Sequence, residues 1–359
     1  MQIPHIDSLS TNRLARVFNN TVATYKYYWF ISILNIHVNT GSTRISIWDI
    51  VISMVANAWY PVHYFKLSFG KSDSMYAAIK SIQEITGLPY DASKKEVEET
   101  LKAILDRRDI KSTLKVFTLN VPFRFLRPWI DTSDDKEVVI RSQQYENGAL
   151  YALTRDENEE WIININPIWS QYLFDHYPIL LDFAYWNLTL FLQTRNPNVP
   201  NIPNKLIRPE ARKSLNNQRK FWNIVIGEGG PIKCIYTGAN LYVGGFDLDH
   251  FIPWSFVTHD LAWNLMPSNP SINSSKSDKI PDLDFYLPKL SASHLDAIKI
   301  YHSTGKSAAA LEDYTTLGYS VNDILQMSHE KFHKVFHQTF APMAQIATNM
   351  GFEQWQYKK

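Results

Sequence analysis

The sequence predicts an α+β protein, with a mainly α-helical N-terminal region carrying a β-hairpin and a second module that ends in a helical C-terminal extension. Three observations lead there. Several segments before residue 108 carry helical patterning between residues that start and stop helices. Residues 148–165 are β-rich around a polar turn. Residues 195–209, RNPNVPNIPNKLIRP, hold four prolines and four asparagines, which neither a continuing helix nor a central strand tolerates. At 359 residues the chain also exceeds the size at which one core keeps growing, so two domains are expected, with the boundary in that Pro/Asn segment.

Taken in order, residues 11–37 (TNRLARVFNNTVATYKYYWFISILNIH) start with a capping residue and contain no Gly or Pro, which predicts one long, largely buried helix. Its aromatic stretch 24–34 reads as core rather than as a base-stacking surface. Residues 46–60 predict a second helix ending before Pro61, and 73–86 a third closed by Gly87 and Pro89. Residues 93–107, opened by Ser93, predict a fourth. GALYALTRD and EWIININ flank Glu157-Asn158-Glu159 as a hairpin, and after Pro167 a helix runs to about Arg195. The tail, 283–359, reads as helices separated by Gly305, Gly318 and Pro342. Gly305-Lys306-Ser307 imitates the end of a phosphate-binding loop, but Ile300 stands where its first glycine belongs.

Composition bounds function loosely. Apolar residues make up 45 % and the formal charge is +1, so any basic surface must be local. One such run exists: residues 205–220 carry Lys205, Arg208, Arg212, Lys213, Arg219 and Lys220 against Glu210 alone. It reads as a solvated helix face or as a phosphate-contacting helix. Cys234 is the sole cysteine, so neither an internal disulfide nor a cysteine-rich zinc site is available. With no secretory pattern at the N-terminus and no run long enough to span a membrane, a cytoplasmic protein is expected.

The chemistry concentrates in residues 247–281, DLDHFIPWSFVTHDLAWNLMPSNPSINSSKSDKIP. Phosphodiester hydrolysis needs an activated water, charge neutralisation at the phosphoryl oxygens and help for the departing oxygen. His250 can act as a base near neutral pH. Asp249 and the Asn273 amide oxygen are hard donors suited to Mg²⁺ or Mn²⁺. Neighbours on a strand face opposite ways, so Asp249 and His250 can share one reaction only where the backbone bends or twists. Taken singly, Asp249 could be a capping residue and His250 a core histidine. Asp247 and Asp260 read as surface or loop acids, and His259 as a plain loop histidine rather than a phosphate contact.

The stretch resembles the ββα-metal finger of HNH endonucleases, the His-Me finger superfamily. Asp249-His250 matches the pair that ends the first strand, Trp263-Asn264-Leu265 the central asparagine, and Asn273-Ser-Ser-Lys276-Ser-Asp278 the start of the helix. The spacings, 14 from His250 to Asn264 and 9 from Asn264 to Asn273, are similar to those of the zinc-free HNH domain of CRISPR effector nucleases. Cys234-Ile-Tyr-Thr-Gly238, Ile252-Pro253 and Ile280-Pro281 resemble that subgroup too. The resemblance implies catalytic roles for His250, as general base, and Asn264, as a brace for the loop that orients it. It implies Asp249 and Asn273 as ligands of one divalent cation. Lys276 is a candidate phosphate contact, and Arg212, Lys213, Arg219 and Lys220 are candidate nucleic-acid contacts. Without the family's zinc cysteines the finger must be held by packing, for which Phe251, Trp254, Phe256, Trp263 and Leu265 are available.

The expected organisation is therefore a helical domain over 1–200 (targeting, regulation or oligomerisation), a nuclease module with a preceding basic helix over 205–282, and a helical extension over 283–359. The expected activity is metal-dependent cleavage of double-stranded DNA in restriction or antiphage defence, with Mg²⁺ or Mn²⁺ and no structural zinc. A homo-oligomer or a defence-system partner protein would complete it, with no membrane involved. Two alternatives stay open: an RNA nuclease, and a nucleic-acid-binding subunit inactive until a partner triggers it.

Overall fold

The computed structural model describes residues 2–209 and 213–357. It is mixed α/β, mainly helical with small sheets. The chain forms two compact units that exchange within the Pro/Asn-rich segment: one takes Met1–Pro197 with Ile202–Arg208, the other Asn198–Asn201 with Pro209–Lys359.

In the N-terminal unit, helices Tyr25–Thr40 and Ile47–His63 pack against each other around an aromatic core, with Trp29, Trp59, Trp129 and Trp169 fully buried. Ser46 caps the second of these by accepting a bond from the Trp48 N–H. Asp73 does the same for Ser74–Thr86, which Gly87 ends with a left-handed φ of 68°. Ser93 and Glu96 form a reciprocal capping box at Lys94–Ile104. The hairpin Tyr151–Arg155/Trp161–Ile165 gains a third antiparallel strand, Arg44–Ser46, on the Trp161–Ile165 side, with Ile45 opposite Ile163.

Three expected helices differ. The 11–37 segment is one short turn, Thr11–Leu14, and then the helix Tyr25–Thr40. Between them Thr24 is pinned by Asp73, whose Oδ2 accepts from the Thr24 N–H at 2.6 Å and from its hydroxyl at 2.7 Å. Pro61 sits inside Ile47–His63 rather than beyond it. The span after Pro167 is two helices, Pro167–Asp175 and Tyr177–Arg195, and Pro178 opens the second.

The C-terminal unit begins with helix Asn216–Gly229 and a small hairpin, Ile232–Lys233 with Asn240–Leu241. Strand Asp247–His250 then pairs antiparallel with Leu265–Ser268, placing Asp249 opposite Met266 and His250 opposite Leu265. Helix Pro270–Lys276 packs on the first of these strands. Helices Leu283–Ser303 and His329–Asn349 close the core, the latter continuing through Pro342, so this proline separates nothing.

The basic run is not one helix. Lys205 lies buried in a 3₁₀ turn and Arg208 stands 4.0 Å from Asp91, both in the N-terminal unit. Only Arg219 and Lys220 fall on Asn216–Gly229.

Candidate active site

The site is built on the Asp247–His250 strand and what surrounds it. Asp249 is 2 % exposed, yet both carboxylate oxygens are satisfied. Oδ1 accepts from Lys276 Nζ at 2.9 Å and Oδ2 from the Tyr236 hydroxyl at 2.5 Å. Burial first, and then the neighbouring carboxylate, hold the Tyr236 phenol well above its ordinary pKa, so it is a standing donor. Lys276 is itself fully buried and also donates to the His250 carbonyl at 2.6 Å. One ammonium thereby ties the helix Pro270–Lys276 to both residues at the strand's end.

His250 has a different partner. Its Nε2 lies 2.9 Å from Asp260 Oδ1, and no bond is formed by Nδ1 among the described residues. Asp260 is a loop residue, as its sequence context suggests, but the loop is anchored: its carbonyl accepts from Gln218 Nε2 at 3.0 Å. The sequence offered no signal for this partnership beyond a spacing of ten residues. Tyr236 stood in view only as part of the Cys234–Gly238 lead-in.

Asn264, fully buried, clamps the turn after His250. Its Oδ1 accepts from the Ile252 N–H at 2.8 Å, and its Nδ2 donates to the Ile252 carbonyl at 2.9 Å. Its own carbonyl receives the Phe251 N–H at 2.8 Å. Asn273 lies three residues before Lys276, one turn away on the same helix face. Its side-chain amide makes no hydrogen bond among the described residues.

An aspartate carboxylate and an asparagine amide oxygen are hard donors of the kind a divalent cation takes. Among the described residues no group of three or more His, Cys, Asp or Glu side chains gathers as a metal cage. A carboxylate plus an amide oxygen is the kind of sparse oxygen set that leaves coordination positions to water and phosphate, as Mg²⁺ prefers. Both Asp249 oxygens are already engaged by Lys276 and Tyr236, which leaves a cation their second lone pairs, while the Asn273 amide oxygen has no hydrogen-bond partner among the described residues.

The other basic candidates scatter. Arg219 donates to the Phe246 carbonyl at 2.6 Å and stands 3.7 Å from Asp247, bracing the strand from outside. Lys213 and Lys220 are exposed. Arg212 lies outside the described residues. His259 packs against the Trp263 ring at 5.3 Å.

Packing holds the assembly. Phe251, Phe256 and Leu265 are fully buried, Trp263 nearly so, and Trp254 half-buried. Phe340 meets Phe251 at 5.3 Å and Trp263 at 5.4 Å, both edge-on, while Phe352 meets Phe256 at 6.0 Å. Trp222 donates to the Leu265 carbonyl and Trp263 to Thr316.

Residues 234–282 match the family model described as HNH endonuclease. No curated protein and no solved structure gives a significant match to the chain. The match places an HNH domain in the C-terminal half, and such a domain suggests nuclease activity on nucleic acid. No helix among the described residues is long and apolar enough to cross a membrane.

Proposed function

We propose that the C-terminal unit hydrolyses phosphodiester bonds in DNA, with His250 as general base and one divalent cation, Mg²⁺ or Mn²⁺, held by Asp249 and Asn273. The cation, when bound, supplies charge neutralisation at the scissile phosphate and the leaving oxygen. What supports the reading most directly is the His250–Asp260 contact within the matched segment. A carboxylate on Nε2 favours the tautomer whose N–H is there, which leaves the Nδ1 lone pair to take a proton from water. The water oxygen then bonds to phosphorus, the bond to the 3′ oxygen breaks and that oxygen takes a proton from solvent, giving 3′-hydroxyl and 5′-phosphate ends.

Asn264 is the brace in this scheme, because it fixes the backbone immediately after His250. Lys276, as seated, serves Asp249 and the His250 carbonyl, so the exposed Lys213 and Lys220 are the better candidates to meet the nucleic-acid backbone. A role in restriction or antiphage defence extends the proposal, and cleavage compared on modified and unmodified DNA tests that extension.

The experiment is a cleavage assay on DNA and RNA side by side with Mg²⁺ or Mn²⁺. His250→Ala is expected to abolish DNA cleavage while circular dichroism and thermal unfolding stay those of the parent. Equal cutting by the variant would overturn the assignment, and cutting of RNA alone would replace DNA as the substrate.

A further inference from the structure

The N-terminal unit holds a cavity of about 840 Å³ whose wall carries Arg13, Arg16, Lys26, Arg124 and Arg127 against a single carboxylate, Asp131. None of these five cations forms an ion pair among the described residues. Arg13 donates to the Pro128 carbonyl at 2.6 Å, and Lys26 to the carbonyls of Val17 at 3.1 Å and Asn20 at 3.4 Å. Those bonds fix where the charges sit; Asp131 is the one acid on the wall, and Glu146, outside it, lies within electrostatic reach of Arg13. Arg16, Arg124 and Arg127 make no side-chain hydrogen bond among the described residues and are exposed at the cavity.

Gathering like charges around one hollow is unfavourable in the empty protein. Burial, followed by the guanidinium groups of Arg127 and Arg124, pushes the half-buried Lys26 ammonium down to about 8. An anion in the cavity would offset the mutual repulsion of these cations and favour the charged form of Lys26. Planar guanidinium forks match phosphate oxygens in pairs, which makes an arginine-rich wall a phosphate-recognising wall.

Shape narrows the class further. Duplex DNA presents its phosphates along a rod and single strands run along open grooves, so both call for extended strips of cations. Here the cations converge on one hollow whose volume falls in the range of small-molecule sites, roughly 300–1,000 Å³. The half-buried Tyr25 ring forms part of the same wall and is held in place, its hydroxyl accepting from the Ser74 N–H at 2.7 Å. It gives a base or ribose an aromatic surface.

We infer that this cavity is a binding site for a small nucleotide carrying two or more phosphate groups, separate from the nuclease site. The inference stands whether or not the C-terminal unit cuts DNA, because it uses none of those residues.

The test is isothermal titration and thermal-shift measurement on the full chain in EDTA, with ATP, GTP and the 5′-phosphorylated dinucleotide pApA as probes. Inorganic tripolyphosphate and a 20-base-pair duplex are the controls. At least one nucleotide is expected to bind and raise the melting temperature. Arg124→Glu/Arg127→Glu should weaken it at least tenfold, and His250→Ala should bind as the parent does. Should the double reversal fail to fold, Arg124→Gln/Arg127→Gln is the replacement, with the same expected direction. Absence of binding by all three nucleotides at millimolar concentration would overturn the inference. So would undiminished binding by the folded variant, or tripolyphosphate binding as tightly as the nucleotides. Displacement of the nucleotide by the duplex would hand the cavity to nucleic acid instead.

Discussion

His250 Nε2 meets Asp260 Oδ1 at 2.9 Å, and Asp260 is in turn fixed through its carbonyl to Gln218 on the Asn216–Gly229 helix. The imidazole is thus held from a loop that the first helix of the unit anchors.

Asp260→Asn keeps the shape but can present its N–H to Nε2, favouring the wrong tautomer. The expected result is a loss of cleavage rate on the order of 10² or more at unchanged folding stability. Nitrogen chemical shifts of the His250 ring should report the tautomer change, and Asp260→Glu should recover part of the rate. Unchanged kcat and unchanged ring shifts in Asp260→Asn would remove Asp260 from the site.

Asn264→Ala strips the side-chain partners from two buried backbone groups on adjacent peptide units, the N–H and the carbonyl of Ile252. Each group then bears its desolvation alone, so a loss of about 2–4 kcal/mol is expected in urea unfolding. A change within a few tenths of a kcal/mol would mean that the turn holds itself.

Lys276→Met leaves the Asp249 carboxylate buried with Tyr236 as its only remaining side-chain donor among the described residues. Breaking one side of a buried pair costs about 3–5 kcal/mol, while replacing both members by uncharged groups costs far less. In EDTA, Lys276→Met should therefore unfold well before the parent, and Asp249→Asn/Lys276→Met should recover much of the difference. Additive losses in the double variant would contradict the pairing.

His294 supplies a pH signature for the C-terminal unit. Burial pushes it down to about 3, with Nδ1 bonded to the Tyr314 hydroxyl and Nε2 without a partner. The folded protein keeps this ring neutral while the unfolded chain protonates it near pH 6.5, so the unfolded state binds the extra proton. Its contribution is fully present above that pH and is lost as pH falls, at about 1.4 kcal/mol per unit. His294→Gln should flatten the slope of stability between pH 4 and 6.5 in denaturant titrations. An unaltered slope would show that other groups govern it.

Legibility from sequence followed the range of the interactions involved. Helix ends set by local chemistry were readable: Gly87 closes one helix and Ser93 opens the next, each acting within a turn of itself. The break before Tyr25 was not, because Asp73, 49 residues away, makes it. Pro61 and Pro342 were read as stops, but both helices bury enough of their surface to carry a missing rung. At the site, motif spacing drew attention to Asp249, His250, Asn264 and Asn273. It could not single out Tyr236 or Asp260, since a tyrosine in a turn and an aspartate in a loop have no spacing of their own. Nor could it announce that Lys276 would be swallowed by the fold, a position lysine rarely takes unless paired.

Phe340 and Phe352 come from the last fifth of the chain, yet they complete the packing beneath the Asp247–His250/Leu265–Ser268 strand pair, which ends some seventy residues earlier. The matched segment is therefore not a portable cassette. Excised at its family boundaries it would bare Phe251, Phe256 and Trp263 to water, and it would be a sticky fragment before it was an enzyme. Chimaeras that swap the 234–282 segment without its helical backing should fail by aggregation rather than by altered specificity.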